Sequence, residues 1–575
     1  MANVLVCRGA GIAARDASHL YDVLGKIGRE AWDVQYVDEA TLASAPWIAS
    51  TRLLVVPAVD SEVWASAWRT PSPQGSSPLA RIQHYVQEGG ILWICGADTA
   101  LREEVCAGSS SSRRTLGQTA DGVDILAWQV KNGHVMVAPS AIEVQRVRTW
   151  LAALPMQLPS MPEGVPTVTP MLVASTSAPL LEAWRTSLQA SAHPSTTDTP
   201  LVVHDTKYTL AVYTPSSLDH VQTWLSSLPP KDNHTDFLVV PVRLLEDASQ
   251  YAPAFVFPTY YDALQRARGL SSALPWPSPR SFTTRIGDVV AYGRVVDSTQ
   301  TLLESNHALL QACREGTTFI ATQQVQGRGR GGNVWISPQG CLQFSTVVRL
   351  PMHIGSKAVF LQYLAALAIV YGLSEAYPAV RGRVRIKWPN DVYAQVDTPQ
   401  RGSMDVQEDG QVKHFVKMGG ILVTAVCLGD TFHAIVGCGV NCLNDQPTTS
   451  VHALAGTDTV TQEACAGAIV GALESALRTF IDASYSFAPF ADAYRAAWLH
   501  SDQVIRLASH GTEPMRIVGI TSHTGLLRTV PTSSWIRSRD EAAWHGAHVA
   551  GAVDVQPDGN SFDMLAGLVQ PKSHP

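Results

Sequence analysis

Between Glu315 and Glu375 the sequence contains no aspartate or glutamate. Other absences are broader. Basic residues are not in excess: 42 Lys and Arg against 49 Asp and Glu leave a net charge of −7, which gives no basis for general nucleic-acid affinity. The first residues carry no basic n-region followed by an apolar h-region, so no secretory signal is read there. The longest apolar stretch, residues 358–373, is interrupted by Gln362 and falls short of a membrane span. No repeat of fixed period is visible. Cysteine is sparse at nine residues, an odd number without secretory features, which points to reduced thiols and a cytoplasmic location. Cys438-x-x-x-Cys442 has no matching pair of ligands and is read as core. At 575 residues the chain exceeds one core, and at about 100–200 residues per domain it should hold three or four.

What is present begins with continuous apolar runs at residues 3–8, 52–58 and 91–96, the mark of strands buried on both faces of a parallel sheet. A helix is predicted over residues 78–88, with Ser77 as N-cap, Pro78 at the first position and Gly89-Gly90 as stop. The first 100 residues therefore read as a doubly wound α/β unit. Cys95 stands where such a sheet turns into the next helix, and the region resembles the class I glutamine amidotransferase-like domain, whose nucleophilic Cys occupies that turn. There the family has glycine two residues to either side, whereas this chain has Trp93 and Ala97. His134 is a lone candidate base. A regulatory lobe without glutaminase chemistry is the reading.

Residues 151–200 are rich in Pro, Ser and Thr and read as loosely ordered connection with a short helix near 180–188. Strand-like runs at 201–204, 208–213 and 237–242 are expected to complete the N-terminal lobe. A second Pro/Ser-rich stretch, 269–281, is expected to end it, dividing the chain into 1–268, 269–500 and 501–575.

After that boundary the acid-free region holds TTFIATQQVQGRGRGGNVWISP at 317–338. Glycines here let the backbone approach a ligand, and arginine offers a planar fork of donors for phosphate or carboxylate. The letters satisfy G-x-G-x-x-G, but no helix opens at the glycines, no acid follows about 20 residues on, and the Walker lysine is missing. Asp297-Ser298-Thr299-Gln300 opens a helical pattern, as an N-cap and as hydroxyls facing a ligand. VRIKWPND at 384–391 brings Lys387 to a rim and leaves Asn390 and Asp391 on a turn. KMGGILV at 417–423 puts Lys417 at the lip of a buried strand.

DSTQ (297–300), GRGRGGNVW (327–335), KWPNDV (387–392), KMGGILV (417–423) and VGCGVNCLN (436–444) resemble, in order and spacing, the biotin protein ligases, also called holocarboxylase synthetases, of the eukaryotic type. The resemblance implies an α+β catalytic domain of the biotin/lipoate ligase type at 269–500 and a small SH3-like β-barrel at 501–575. No helix-turn-helix is evident before the core, unlike bacterial members that double as repressors. It further implies ATP, Mg²⁺ and biotin as ligands, formation of biotinyl-5′-AMP, and transfer to a lysine of carboxylase carrier domains of the acetyl-CoA and pyruvate carboxylase type, with no nucleic acid or membrane partner. Lys417 matches the essential lysine, acting on the α-phosphate; Arg328 and Arg330 are expected to clamp carboxylate and phosphate, and Asp391, with Asn390, to position the nucleotide, Mg²⁺ or the acceptor lysine. Ser298, Thr299, Gln300, Gln324, Gly329 and Gly420, with both arginines, match biotin-contacting positions. Trp335, Lys387, Asn390 and Asn441 are expected around the adenylate. Lipoate ligation, or binding without catalysis on the same fold, are the rival readings. Residues 398–414 are expected to form a surface hairpin loop, and 459–482 a core helix.

Overall fold

The computed structural model describes residues 2–8, 12–28, 32–44, 48, 51–58, 68–70, 77–96, 99–107, 112–118, 124–138, 144–154, 169–189, 201–213, 237–244, 248, 252–280, 285–324, 327–330, 335, 337, 340–399, 403–408, 410–444, 449–501, 503–507, 513–533, 551–556, 560–563 and 568–571. Two compact units divide the chain, Met1–Val165 and Pro166–Pro575.

The first unit runs β1 (Ala2–Cys7), α1 (Ala14–Gly28), β2 (Trp32–Val37), α2 (Glu39–Ser44), β3 (Thr51–Val56), α3 (Pro78–Gln87), β4 (Ile91–Cys95), α4 (Thr99–Cys106), β5 (Ser112–Gln118), β6 (Asp124–Val130), β7 (Gly133–Ala138) and α5 (Val144–Ala152). Its sheet, β2-β1-β3-β4-β7-β6-β5, is parallel as far as β7 and antiparallel beyond it. Successive side chains of a strand face opposite ways, so a run that is apolar throughout needs cover on both faces. Val4, Val6, Leu53 and Val55 meet Leu20 and Leu24 of α1 and Trp150 of α5. Leu5, Leu54 and Val56 meet Ile82 and Val86 of α3 and Leu101 of α4. The doubly wound expectation is met, and α3 is capped as predicted, the Ala80 N–H donating to Ser77 Oγ at 3.2 Å.

Cys95 is 1% exposed, and burial pushes its thiol well above the ordinary range. The positive φ at the end of β4 falls on Gly96, at 91°, and not on the cysteine. His134 pairs in register with Ile91 while Cys95 pairs with Ala138. Four residues of strand, about 13 Å, therefore separate the imidazole's position from the thiol's.

The second unit runs β8 (Met171–Ser175), α6 (Ala178–Gln189), β9 (Leu201–His204), β10 (Thr209–Tyr213), β11 (Phe237–Leu244), α7 (Phe257–Gly269), β12 (Val289–Val296), α8 (Thr299–Glu304), α9 (His307–Ala312), β13 (Thr318–Gln324), β14 (Cys341–Pro351), α10 (Val359–Ala376), β15 (Val384–Lys387), β16 (Asp391–Val396), β17 (Met404–Glu408), β18 (Gln411–Leu428), β19 (Thr431–Asn441), α11 (Gln462–Asp482) and α12 (Ala491–Ala497). A twelve-stranded sheet is ordered β15-β16-β18-β19-β14-β13-β12-β8-β11-β10-β9, with β17 paired to β18. The expected hairpin at 398–414 is thus β17 and the start of β18.

The expected boundary at 268 is corrected. β9, β10 and β11 join this sheet and not that of the first unit. The stretch expected to be a loose connection contains β8, fully buried and antiparallel to β12. An apolar run announces a buried strand but not which sheet will bury it. Met171 and Val173 pack with Leu181 and Trp184 of α6 and with Leu302 and Leu309 of α8 and α9, one core across the expected boundary. The Pro/Ser-rich stretch is likewise pinned to α11: Trp276 Nε1 donates to Ser475 Oγ at 3.1 Å, and Thr479 Oγ1 donates to the Pro277 carbonyl at 2.7 Å.

α10 and α11, the latter the expected core helix, are long and apolar enough by length and composition to cross a membrane. Both are packed inside the protein, 78% and 89% buried. Their close approach depends on glycine: a Cβ at Gly372 would meet the Ala468 carbonyl oxygen at 2.9 Å, and one at Gly467 the Tyr260 carbonyl oxygen of α7 at 2.4 Å.

The chain closes with β20 (Val504–Leu507), β21 (Pro514–Ile520), β22 (Leu527–Pro531), β23 (Val553–Val555), β24 (Asn560–Asp563) and β25 (Leu568–Pro571), in the order β23-β22-β21-β20-β25-β24. Ile505, Met515, Ile517 and Leu527 share a core with α10 and α11, so residues 501–575 belong to the second compact unit.

A fragment of residues 166–575 is expected to unfold cooperatively in urea. One beginning at 269 loses β8 to β11 and α7, bares the edge of β12, and is expected to aggregate. Circular dichroism and gel filtration of the two fragments check this; equal behaviour would place the boundary at 268 after all.

Candidate active site

β12 ends at the turn into α8, and Ser298 caps that helix: its φ of −164° and ψ of 132° are extended, and its Oγ accepts from the Thr301 N–H at 3.4 Å. Short hydroxyl side chains favour this position because they satisfy an N–H that has no partner within the helix. The cap places Thr299 and Gln300 on the first turn, each 4% exposed. Buried hydroxyls and amides need partners, and here they satisfy one another. Gln324 Oε1 accepts from the Thr299 N–H at 2.8 Å and its hydroxyl at 3.3 Å. Ser345 Oγ stands 2.8 Å from Thr299 Oγ1 and donates to Gln300 Oε1 at 3.2 Å. Gln300 Nε2 donates to Thr424 Oγ1 at 2.6 Å and to the Ile435 carbonyl at 3.1 Å. Both amide hydrogens of Gln300 are therefore spent within the protein.

The strand opposite has no side chains where these groups stand. A Cβ at Gly437 would lie 2.3 Å from Gln300 Oε1, and one at Gly439 would lie 2.4 Å from the Trp335 ring. Trp335 is placed by its N–H donating to the Gly327 carbonyl at 2.9 Å, which turns the glycine-arginine segment back on itself. Gly331, Gly332 and Asn333 lie outside the described residues.

Cations gather at the mouth. Arg328 pairs with Glu304 at 2.5 Å, and Arg330 Nη1 donates to Asn390 Oδ1 at 3.0 Å. Asn390 is held to β18 from both sides, Nδ2 donating to the Ile421 carbonyl at 2.8 Å and the Asn390 carbonyl accepting from the Ile421 N–H at 2.9 Å. The Lys417 ammonium lies 2.8 Å from Asp391 Oδ1 and 5.8 Å from the Trp335 ring centroid. Lys387 Nζ lies 5.3 Å from the Tyr393 ring centroid. The site residues on β15, β16 and β18 meet because Lys387 and Asp391 are register partners, as are Asp391 and Gly420.

These groups enclose a cavity of about 420 Å³. Ser298, Thr299, Gln300, Gln324, Arg328, Gly329, Arg330, Trp335, Lys387, Asn390, Asp391, Lys417 and Gly420 all line it. Asn441 does not. It pairs with Cys341 at the end of β19, two residues or about 7 Å beyond Gly439. Sequence reading missed Gln343, Ser345, Trp388, Gly437, Cys438 and Gly439. A signal was present: polar Gln343 and Ser345 alternate with apolar Leu342 and Phe344 at the start of β14, and Gly437 and Gly439 alternate along β19. Burial pushes the Cys438 thiol up, so it contributes as an apolar neutral wall. The lining carries four cations, Arg328, Arg330, Lys387 and Lys417, against one carboxylate, Asp391. A neutral, hydrogen-bonding inner wall below a cationic mouth is built to hold a carboxylate beside phosphates.

The comparisons with known proteins agree with this geometry. The Biotin/lipoate A/B protein ligase family model matches residues 292–441, and the model for Biotin-protein ligase, N terminal, matches residues 2–98. A biotin-protein ligase of Schizosaccharomyces pombe is 32% identical over 302 residues, 50% of this chain and 44% of that protein. The human biotin-protein ligase is 30% identical over 305 residues, 50% of this chain and 36% of that protein. Biotin-protein ligase 1, chloroplastic, of Arabidopsis thaliana is 30% identical over 303 residues, 51% of this chain and 71% of that protein. The match thus spans less than half the length of the first two relatives. The chain belongs to the biotin protein ligase family.

One wall of the cavity is supported from the C-terminal side. The Trp388 N–H donates to His500 Nε2 at 2.9 Å, so the proton of this imidazole is on Nδ1, 3.0 Å from Gln503 Oε1. The Trp388 indole N–H donates to Tyr363 Oη at 3.0 Å, and that hydroxyl donates to the Gly525 carbonyl at 2.6 Å. Burial pulls the His500 pKa down to about 4, the Gln503 bond opposing and the Lys387 charge adding to the fall. The unfolded chain binds this proton below about pH 6.5 and the folded one only below about 4, so stability is full above 6.5 and falls as the pH drops through that window. The loss by pH 4 is expected to be on the order of 3 kcal/mol. Urea unfolding of the wild type and His500→Asn between pH 7.5 and 4 checks it: the two should converge as the pH falls, and a constant gap would refute the assignment.

Proposed function

We propose that this chain is an ATP-dependent ligase that joins biotin to ATP and then biotinylates a lysine on the carrier domain of biotin-dependent carboxylases, of the acetyl-CoA and pyruvate carboxylase type. The observation that carries it is one cavity, in a chain of this family, with buried amides and hydroxyls at its inner end and cations at its mouth. The inner wall suits the donors and acceptors of a ureido ring. The mouth suits a carboxylate and phosphates.

In the first step a biotin carboxylate oxygen attacks the α-phosphorus of ATP, the bond to the β-phosphate oxygen breaks, and pyrophosphate leaves. Two anions repel as they approach, so fixed positive charge must offset the repulsion as negative charge develops on the phosphoryl oxygens. Lys417 is assigned to the α-phosphate, and Arg328 and Arg330 to the carboxylate and phosphates. Trp335 packs against the adenylate, beside Lys387 and Asn390. In the second step the carrier lysine's neutral amine attacks the mixed anhydride's carbonyl carbon, forming the amide and expelling AMP. Asp391, already beside Lys417, is placed to orient that amine. Mg²⁺ would enter on the nucleotide's phosphates, whose oxygens suit a hard cation.

On this reading the first unit is an amidotransferase-like regulatory lobe without glutaminase chemistry, which the burial of Cys95 and the distance to His134 support. The six-stranded C-terminal sheet is an SH3-like element. The nine free thiols accord with a cytoplasmic location.

The test of function is isotopic exchange between pyrophosphate and ATP. Exchange should require biotin. Dependence on lipoate would reassign the substrate, and no exchange with either would leave a binding protein. Lys417→Ala should lower exchange by about 100-fold or more, and near-normal exchange in that variant would remove Lys417 from its role. Arg330→Gly breaks the link to Asn390 and should let biotinyl-AMP escape, so that lysines of bystander proteins become labelled. Labelling confined to the carrier would count against a retaining role for Arg330.

A further inference from the structure

We propose that the turn between β9 and β10 is a positioning clamp for the biotin-facing end of α8, an inference that rests on the functional reading above. The turn is closed by the Asp205 N–H donating to the Tyr208 carbonyl at 3.1 Å. Its groups then reach outward to α8 and α9. The Tyr208 hydroxyl and the Lys207 ammonium both meet Asp297 Oδ2, the ammonium at 3.0 Å. Asn306, fully buried, accepts the Tyr208 N–H at 2.9 Å and the Lys207 N–H at 3.3 Å on Oδ1, and donates from Nδ2 to the Leu302 carbonyl at 2.7 Å. Asp205 Oδ2 accepts from the Leu309 N–H at 2.8 Å.

α8 has six residues, too few to hold a helical geometry by its own hydrogen bonds. The clamp fixes it at both ends, through Asp297 before its cap and through Leu302 in its last turn. Asp297 does not line the cavity, whereas Ser298, Thr299 and Gln300 directly after it do. A carboxylate held from outside by Tyr208 and Lys207 therefore sets where those three side chains stand. Tyr208 and Lys207 are positioning residues, acting through Asp297, and they lie in a turn between two strands that the sequence assigned to another domain. The clamp acts directly on the inner wall, and at the mouth α8 reaches Arg328 through Glu304 in its last turn, whereas Arg330, Lys387 and Lys417 are held by other elements. Its effect should fall on biotin more than on ATP.

Tyr208→Phe removes only the hydroxyl and keeps the buried ring. In biotin-dependent pyrophosphate exchange it should raise the KM for biotin about threefold to tenfold, less than the full worth of a hydrogen bond to a charged group because Lys207 still holds Asp297, with kcat and the KM for ATP within about twofold of wild type. Asp297→Asn, whose amide oxygen still accepts from Tyr208, should keep more biotin affinity than Asp297→Ala. A biotin KM unchanged in Tyr208→Phe, or KM values for biotin and ATP rising together, would overturn the clamp. Hydrogen exchange of the α8 amides without ligand separates the clamp from the functional reading. Faster exchange at α8 in Tyr208→Phe, with α11 unchanged, supports the clamp even if the wild type shows no biotin-dependent activity, an outcome that would overturn only the assigned reaction. Unchanged α8 exchange overturns the clamp in an active enzyme.

Discussion

The register of β19 between β14 and β18 decides where every group of the site can stand. Gly437 is paired with Ser345 on one side and Leu422 on the other, and Gly439 with Gln343 and Gly420. Two positions without side chains thus lie beneath Gln300 and Trp335. A slip of one residue would bring Val436, Cys438 or Val440 to those positions and close the cavity. The eleven-residue pairing of β14 with β19 prevents the slip, since it would also turn buried Ile435, Val436 and Val440 to the wrong faces.

Upon that floor the site separates two kinds of polarity. At the inner end, Thr299, Gln300, Gln324 and Ser345 find partners in one another and behave as one rigid network. At the mouth, cations are held by acceptors on neighbouring elements, Glu304 for Arg328, Asn390 for Arg330 and Asp391 for Lys417. These pairs hold the cations in place, and charge remains in excess over the one carboxylate of the wall. A rigid neutral end and a cationic open end allow one cavity to accept a ligand that is uncharged at one extremity and anionic at the other.

The second unit surrounds this cavity with support that is distant in sequence. Trp388 is tied through His500 and Tyr363 to residues 500–525. Asp297 is tied through Tyr208 to β10, 89 positions earlier. The sheet extension β8 to β11 and the C-terminal sheet are therefore parts of the structure that holds the site, not modules appended to it.

By itself the sequence determined the doubly wound first unit, the capped helix at 78–87, the core helix α11, and all but one of the expected residues of the cavity lining. These follow from local causes: apolar periodicity, a cap and its stop, glycines beside arginines in an acid-free region, and motifs whose order matches a family. Asn441 lies outside the cavity lining, since a motif marks a strand and not how far along that strand a cavity reaches. Gln343, Ser345 and the role of Gly437 and Gly439 were decided by tertiary structure, since a bare or polar position has meaning only once its neighbour across the sheet is known. The allegiance of β8 to β11 was decided the same way. Their apolar faces demand burial, and nothing local in the chain says which of two sheets will provide it.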